Sequence, residues 1–353
     1  MLHVLKCLKN KWVIVSLFAL QANVIIPITT SAADSTAPIT TPIDGPQLPA
    51  PISGPDASAG DPDELESTGS PADYAYGAYQ RGYYLTAMEL ALPRAEIGDP
   101  AAQTLIAEIL WNGLGLARDR KKAIDWYRFA ANGGGREAQF HYGNLLLQGG
   151  LIEKDIKLGE SFLRKSAEAG HPRAQFNLAQ IITARRPTWA GFSKAMPFYK
   201  SAAEAGIPDA QYAMANIYAE AKGVNFTDDV KARAWLQKSA LGGFDTAQVE
   251  YGVWLANGRG GGVDTNQARF WFTRAAVQGN VIAQNRLARI HAFTTKQKPD
   301  LIRASAWHII ARRAGHTDSE LDRMFQALPD IDKKRAIEAA NQLTRGLARS
   351  ANG

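Results

Sequence analysis

The sequence predicts an all-α protein: a right-handed α/α solenoid of about six 36-residue repeats, with a helical unit before the array and a helical cap after it. Two observations predict it. An Ala-Gln pair recurs at Ala102-Gln103, Ala138-Gln139, Ala174-Gln175, Ala210-Gln211, Ala247-Gln248 and Ala283-Gln284, at successive spacings of 36, 36, 36, 37 and 36 residues. A glycine stands four residues before each pair, at Gly98, Gly134, Gly170, Gly206, Gly243 and Gly279, and Gly315 continues the phase. A fixed internal period of this length marks stacked supersecondary units, none of which can bury its apolar face alone.

Each repeat divides into two antiparallel helices. Helix A begins near the Ala-Gln pair and runs about a dozen residues, as in PDAQYAMANIYAEAKG. Helix B carries an aromatic at Trp126, Phe162, Phe198, Trp235, Trp271 and Trp307, which is expected in the core. Small residues hold two further phases. On helix A they are Ala107, Gly143, Ala179, Ala215, Gly252 and Ala288; on helix B they are Ala123, Gly159, Ala195, Ala232, Ala268 and Ala304. Small side chains at these points let the paired backbones approach closely. The repeat glycine is expected to end helix B in the left-handed region. The one-residue insertion lies between Ala215 and Ala232, in a connecting loop where extra length costs little.

Outside the array the composition changes. Residues 1–33 read as a signal peptide: Lys6, Lys9 and Lys11 precede an apolar run from Trp12 to Ala22, and Ser31-Ala32-Ala33 offers a cleavage site near Ala33. The alternative is an N-terminal membrane anchor, although Gln21, Asn23 and Pro27 interrupt the run. Residues 34–72 hold eight of the 17 prolines and no Lys or Arg, the composition of an acidic, disordered linker. Residues 73–98 form the N-terminal helical unit, 99–315 the array and 316–353 the cap. In the cap, Leu321, Met324, Phe325 and Leu328 share one apolar face, and Ile331, Ala336, Ile337, Ala340 and Leu343 another.

Charge and cysteine usage narrow the function classes. The single cysteine, Cys7, excludes a disulfide framework, a four-thiolate zinc site and an iron–sulfur cluster. Residues 74–353 carry a net charge of +11, which suits an anionic surface. Nucleic acid is not expected as a partner of an exported chain. No metalloprotease, nucleophile-elbow or phosphate-loop motif occurs. The histidines stand without an acidic partner at ligand or triad spacing, so no catalytic residue, cofactor or metal is expected. The run Gly258-Arg259-Gly260-Gly261-Gly262 follows a helix and reads as loop closure.

Two surfaces are candidates for binding. Helix A positions two before, one after and five after the small residue share one helical face. There the sequence places His141, Asn144, Asn177, Gln180 and Asn216, followed by Arg286 and Arg289. Amides offer both donor and acceptor to a peptide backbone, and arginine suits a carboxylate. The second surface is the stretch 185–192, read as a loop, in which Arg185, Arg186, Trp189 and Phe192 have the composition of an interface.

The blocks KKAIDWYRFAANGGGREAQFHYG and ARFWFTRAAVQGNVIAQNRLA resemble Sel1-like repeats, the 36-residue relatives of tetratricopeptide repeats, over roughly residues 99–320. Residues 74–98, with Tyr76-Gly77-Ala78-Tyr79 and no long internal loop, resemble a shorter tetratricopeptide unit. The resemblance implies a secreted bacterial, non-enzymatic adaptor that binds a protein or peptide partner, and it leaves the oligomeric state open. Envelope proteins of this type include negative regulators of sensor kinases. An alternative partner is peptidoglycan or another anionic envelope glycan, although relatives linked to such ligands carry cysteine pairs that this chain lacks.

Overall fold

The computed structural model describes residues 71–293 and 298–350, with the side chains of 71–73 and 347–350 excepted. The signal peptide and nearly all of the linker expected from the sequence lie outside the described residues. Within them the chain is all-helical, with sixteen helices and no strand. None of these helices is long and apolar enough to cross a membrane.

The helices follow the predicted period. A first pair, α1 (Pro71–Gln80) and α2 (Tyr84–Glu96), precedes the array. The repeats then run as α3 (Pro100–Asn112) with α4 (Arg120–Asn132), α5 (Arg136–Gln148) with α6 (Ile156–Glu168), and α7 (Pro172–Arg185) with α8 (Trp189–Glu204). They continue as α9 (Pro208–Ala219) with α10 (Asp229–Leu241), α11 (Asp245–Asn257) with α12 (Thr265–Val277), and α13 (Val281–Phe293) with α14 (Leu301–Arg313). The cap is α15 (Ser319–Gln326) and α16 (Asp330–Ser350). The chain divides into two compact units, one ending at Gly159 and the other starting at Glu160.

In the first unit, Ile106, Ile109 and Leu110 of α3 are buried with the alanines Ala87, Ala91 and Ala95 of α2 and Ala123 of α4. The second unit has a core around Tyr199, Met214 and Ile217, and another around Trp254, Trp271, Phe272, Leu287, Trp307 and Leu321.

Helix boundaries follow from side-chain chemistry. Several B helices open on an aspartate whose carboxylate accepts backbone N–H groups of the first turn: Asp119 from Lys122, Asp155 from Leu158, Asp228 from Lys231, Asp264 from Gln267 and Asp300 from Arg303. The repeat glycines all have positive φ, between +82° at Gly170 and +95° at Gly98. This is the left-handed turn that ends helix B and starts the next helix A. A Cβ at Gly206 would meet nothing within 4 Å, so Gly206→Ala isolates the backbone term. It should lower stability by about 1–2 kcal/mol in chemical denaturation; an unchanged midpoint would show that the turn relaxes without cost.

The repeated glutamine has a role that its spacing alone did not reveal. In every repeat its Nε2 donates to a backbone carbonyl eight residues earlier, in the last turns of the preceding helix B. The pairs are Gln103 to Ala95, Gln139 to Ala131, Gln175 to Ala167, Gln211 to Ala203, Gln248 to Ala240 and Gln284 to Ala276, at 2.9–3.3 Å. Carbonyls at a helix C-terminus lack intrahelical donors, and the buried amide supplies one. This bond ties each repeat to the next.

Two expectations about the core need correction. The aromatic phase of helix B was expected inside. Phe162, Trp271 and Trp307 are buried, but Trp126, Phe198 and Trp235 are only half-buried. The deepest position lies one residue later, at Tyr127, Leu163, Tyr199, Leu236, Phe272 and His308. The Trp126 phase sits toward the rim, where polar stems can reach the rings: the Lys238 ammonium lies 4.3 Å from the Trp235 ring centroid. In the cap, Leu321, Leu328, Ala336 and Ala340 are buried, whereas Ile331 and Ile337 face solvent. The inward stripe of α16 is therefore narrower than its apolar residues suggest.

Candidate functional site

Consecutive A helices place side chains some 29–38 residues apart in sequence against one another, and these pair off along the face predicted to be an open amide stripe. In the first unit, Glu108 of α3 meets Glu137 and His141 of α5; the Glu137 Oε1–His141 Nε2 distance is 3.2 Å, and one ligand atom from each of the three residues lies within 4.8 Å of the others. Both ion-pair partners are thus nearer than the sequence reading allowed: His141 has Glu137 four residues earlier on its own helix. His308 likewise pairs with Asp322, at 2.9 Å. The His141 ring stacks on Tyr127, with centroids 5.0 Å apart, and meets Phe140 edge-on at 5.3 Å. The Tyr79 hydroxyl donates to Glu108, and burial together with Glu108 pushes the Tyr79 pKa up to about 12. Burial also raises the Glu108 pKa, and Glu137 adds to the rise while His141 and the Tyr79 hydroxyl oppose it.

In the second unit the same face is held by a Tyr–Glu bond and an Arg–Asp network. Tyr212 of α9 donates from its hydroxyl to Glu250 Oε2 of α11, at 2.9 Å. Arg289 of α13 donates to Asp318 at 2.9 Å and to Glu320 at 2.7 Å, and Asn285 Nδ2 donates to Asp318 at 3.0 Å. Burial lowers the Arg286 pKa, and neighbouring Arg289 lowers it further.

The predicted face is thereby corrected in part. Asn216 is buried beside Tyr212, and Arg289 is already engaged by two carboxylates. Asn144 donates to its own helix, to the Phe140 carbonyl at 2.9 Å. Asn177 and Gln180 are half-buried on α7, and Arg286 is half-buried on α13. Helices stacked side by side satisfy their facing polar groups with each other, so the stripe is not a free row of amides.

The second candidate surface also changes shape. The stretch 185–192 is not a long loop. Helix α7 runs to Arg185 and α8 begins at Trp189, leaving only residues 186–188 between them. Thr188 caps α8, with its hydroxyl accepting from the Gly191 N–H at 3.5 Å. A Cβ at Gly191 would fall 1.9 Å from the Arg186 carbonyl oxygen, so the tight turn needs glycine there. Arg185 pairs with Glu160, and Arg186 is exposed. The Trp189 Nε1–H donates to the Val224 carbonyl in the α9–α10 loop at 3.1 Å, yet the side chain remains 55% exposed. Phe192 is half-buried, with the Lys222 ammonium 5.7 Å from its ring centroid.

The α9–α10 loop adds apolar surface that the sequence reading missed. Phe226 in the loop is 72% exposed, and Val230, in the first turn of α10, is 69% exposed. The one-residue insertion in this loop was the available signal. By contrast, the Gly258–Gly262 loop is packed as expected for closure: the Arg233 guanidinium donates to the Arg259 and Gly262 carbonyls.

Comparison with known proteins identifies the repeats. The Sel1 repeat family model matches residues 100–135, 136–171, 208–244 and 246–280. A Sel1 repeat protein from Oxalobacter formigenes is 29% identical, covers 69% of this chain and 99% of its own, and superposes with a TM-score of 0.58. The protein c5321, a protective antigen of uropathogenic Escherichia coli with an SLR fold, shares the fold at 24% identity and a TM-score of 0.63; the match covers 78% of this chain but spans only 62% of that protein. No curated protein matches the sequence. The helix pairs α7–α8 and α13–α14 fall outside the matched segments, but Gln175 and Gln284 make the same eight-residue bond there. Four matched segments within an unbroken helical period show that this chain carries Sel1 repeats.

Proposed function

We propose that the chain is a non-enzymatic scaffold, exported to the periplasm or secreted, that binds a protein partner through the surface joining the α7–α8 turn to the α9–α10 loop. Sel1 repeats generally mediate protein–protein interaction. The observation that carries the reading is the exposed Trp189, held by its bond to the Val224 carbonyl of a loop that goes on to exposed Phe226, with exposed Arg186 three residues before Trp189 in the α7–α8 turn. A tryptophan fixed at one edge yet more than half exposed loses little entropy on docking, and Trp and Arg dominate interface energetics. The helix A face supports this role less well, because its polar groups largely bond to one another.

Export rests on the basic, apolar and small-residue order of residues 1–33; N-terminal sequencing should return a mature chain beginning near Asp34, and an intact Met1 in a membrane fraction would replace secretion with anchoring. For the interface, the partner is first captured by crosslinking in intact cells and then titrated against purified variants. Trp189→Ala should weaken binding about 10- to 100-fold, consistent with loss of a central aromatic anchor. Undiminished affinity in both Trp189→Ala and Phe226→Ser, with native circular dichroism, would remove this surface from the account.

The net charge of +11 over residues 74–353 favours a second reading, an anionic envelope glycan. Salt separates the two. Charge-driven glycan binding should collapse between low and high ionic strength, whereas an aromatic-anchored protein contact should weaken far less.

A further inference from the structure

We propose that Glu108, Glu137 and His141 form a binding site for one divalent transition-metal cation, with Zn²⁺ as the type case, that clamps α3 to α5. Two carboxylates and one imidazole converge within 4.8 Å, from two successive A helices. Glu137 and His141 lie one helical turn apart and so share a face of α5, while Glu108 reaches them from α3. One imidazole and two carboxylates are a three-ligand set that leaves a fourth tetrahedral position to water or a ligand.

Three features make the cluster more than a surface ion pair. His141 is oriented before any ion arrives, stacked on buried Tyr127 and flanked by Phe140. Glu108 has an outer partner in the Tyr79 hydroxyl, the kind of hydrogen bond that aims a ligating carboxylate. The geometry brings two carboxylates together beside a single imidazole. A divalent cation would compensate both carboxylates, and the nitrogen ligand favours zinc-like ions over calcium or magnesium.

The site would join neighbouring repeats, so binding should be read both as affinity and as stability. The probes are Zn²⁺ and Co²⁺ added alone to the untagged full chain. Wild type should bind one ion per chain, give a cobalt d–d absorption band, and unfold at a higher midpoint with Zn²⁺ than with chelator. Glu108→Gln and His141→Ala should each weaken binding more than about tenfold and abolish the zinc-dependent stabilisation, with native circular dichroism. Tyr79→Phe, which keeps every ligand, should weaken binding by about tenfold. No binding below about millimolar metal, or equal affinity in wild type, Glu108→Gln and His141→Ala, would overturn the proposal. Neither readout involves Trp189 or the partner, so this inference and the proposed interface fail independently.

Discussion

Phe272→Ala is expected to destabilise the second unit by about 3–5 kcal/mol, the range for truncating a buried aromatic. Phe272 is 2% exposed and occupies the deepest phase of helix B. Its partner in the hairpin is Gly252 of α11: a Cβ there would lie 2.7 Å from the Phe272 ring. The ring and the glycine therefore fit as one pair, and the two substitutions should not add. Gly252→Ala alone should be destabilising, because it drives a methyl into the ring. In the Phe272→Ala background the same methyl enters the vacated space and should cost little or become favourable. A double-mutant cycle by urea denaturation measures this coupling. Strict additivity would show that the hairpin relaxes around the methyl and that the close approach at Gly252 is not a constraint.

Asp318→Ala is expected to cost about 2–4 kcal/mol, because one side chain serves two structures. Its carboxylate caps α15, accepting from the Glu320 and Leu321 N–H groups, and it anchors α13 by accepting from Asn285 and Arg289. Burial works to raise its pKa, but the hydrogen bonds from Asn285, Arg289 and the Leu321 N–H outweigh it and hold the carboxyl at about 2. An unfolded aspartate titrates near ~3.9. The folded value is depressed, so the stability it contributes is present above about pH 4 and is lost as pH falls toward about 2. Asp318→Asn keeps the capping oxygen but removes the charge. It should lose part of the neutral-pH stability and flatten the acid limb between about pH 4 and 2. Superimposable acid limbs for wild type and Asp318→Asn would place the acid sensitivity elsewhere.

The architecture was legible because it repeats. The glycines from Gly98 to Gly315 and the Ala-Gln pairs locate every helix pair of the array, and small residues such as Ala107 and Ala123 mark the crossing points. A single sequence reveals a period more readily than the partner of each side chain. Gln175 could be seen to recur, but its bond to the Ala167 carbonyl depends on the angle between two helices. The capping aspartates Asp119, Asp228, Asp264 and Asp300 kept the same phase and could have been read from it.

The candidate sites were less legible for a physical reason. A residue placed on a helix face by periodicity is exposed only if the next repeat brings nothing to meet it. Asn216 and Arg289 were on the predicted face, but Asn216 is buried and Asp318 engages Arg289. Glu137, four residues before His141, was within reach of a helical reading that passed over it, whereas Glu108 lies 33 residues away, nearly one repeat, and only the packing of α3 on α5 brings it in. Trp189 was singled out from the sequence, but Phe226 was not, because its exposure depends on how the lengthened α9–α10 loop projects.

Partners are expected to dock beside Trp189 rather than along the helix A face. This is tested most directly by placing a photo-crosslinking phenylalanine analogue at one position at a time, at residue 226, 144 or 180, in the full chain in intact cells. Irradiation should yield a discrete crosslinked protein from position 226, and Trp189→Ala should abolish it. Crosslinks of equal or greater yield from positions 144 and 180, with none from 226, would contradict this and return the binding site to the helix A face.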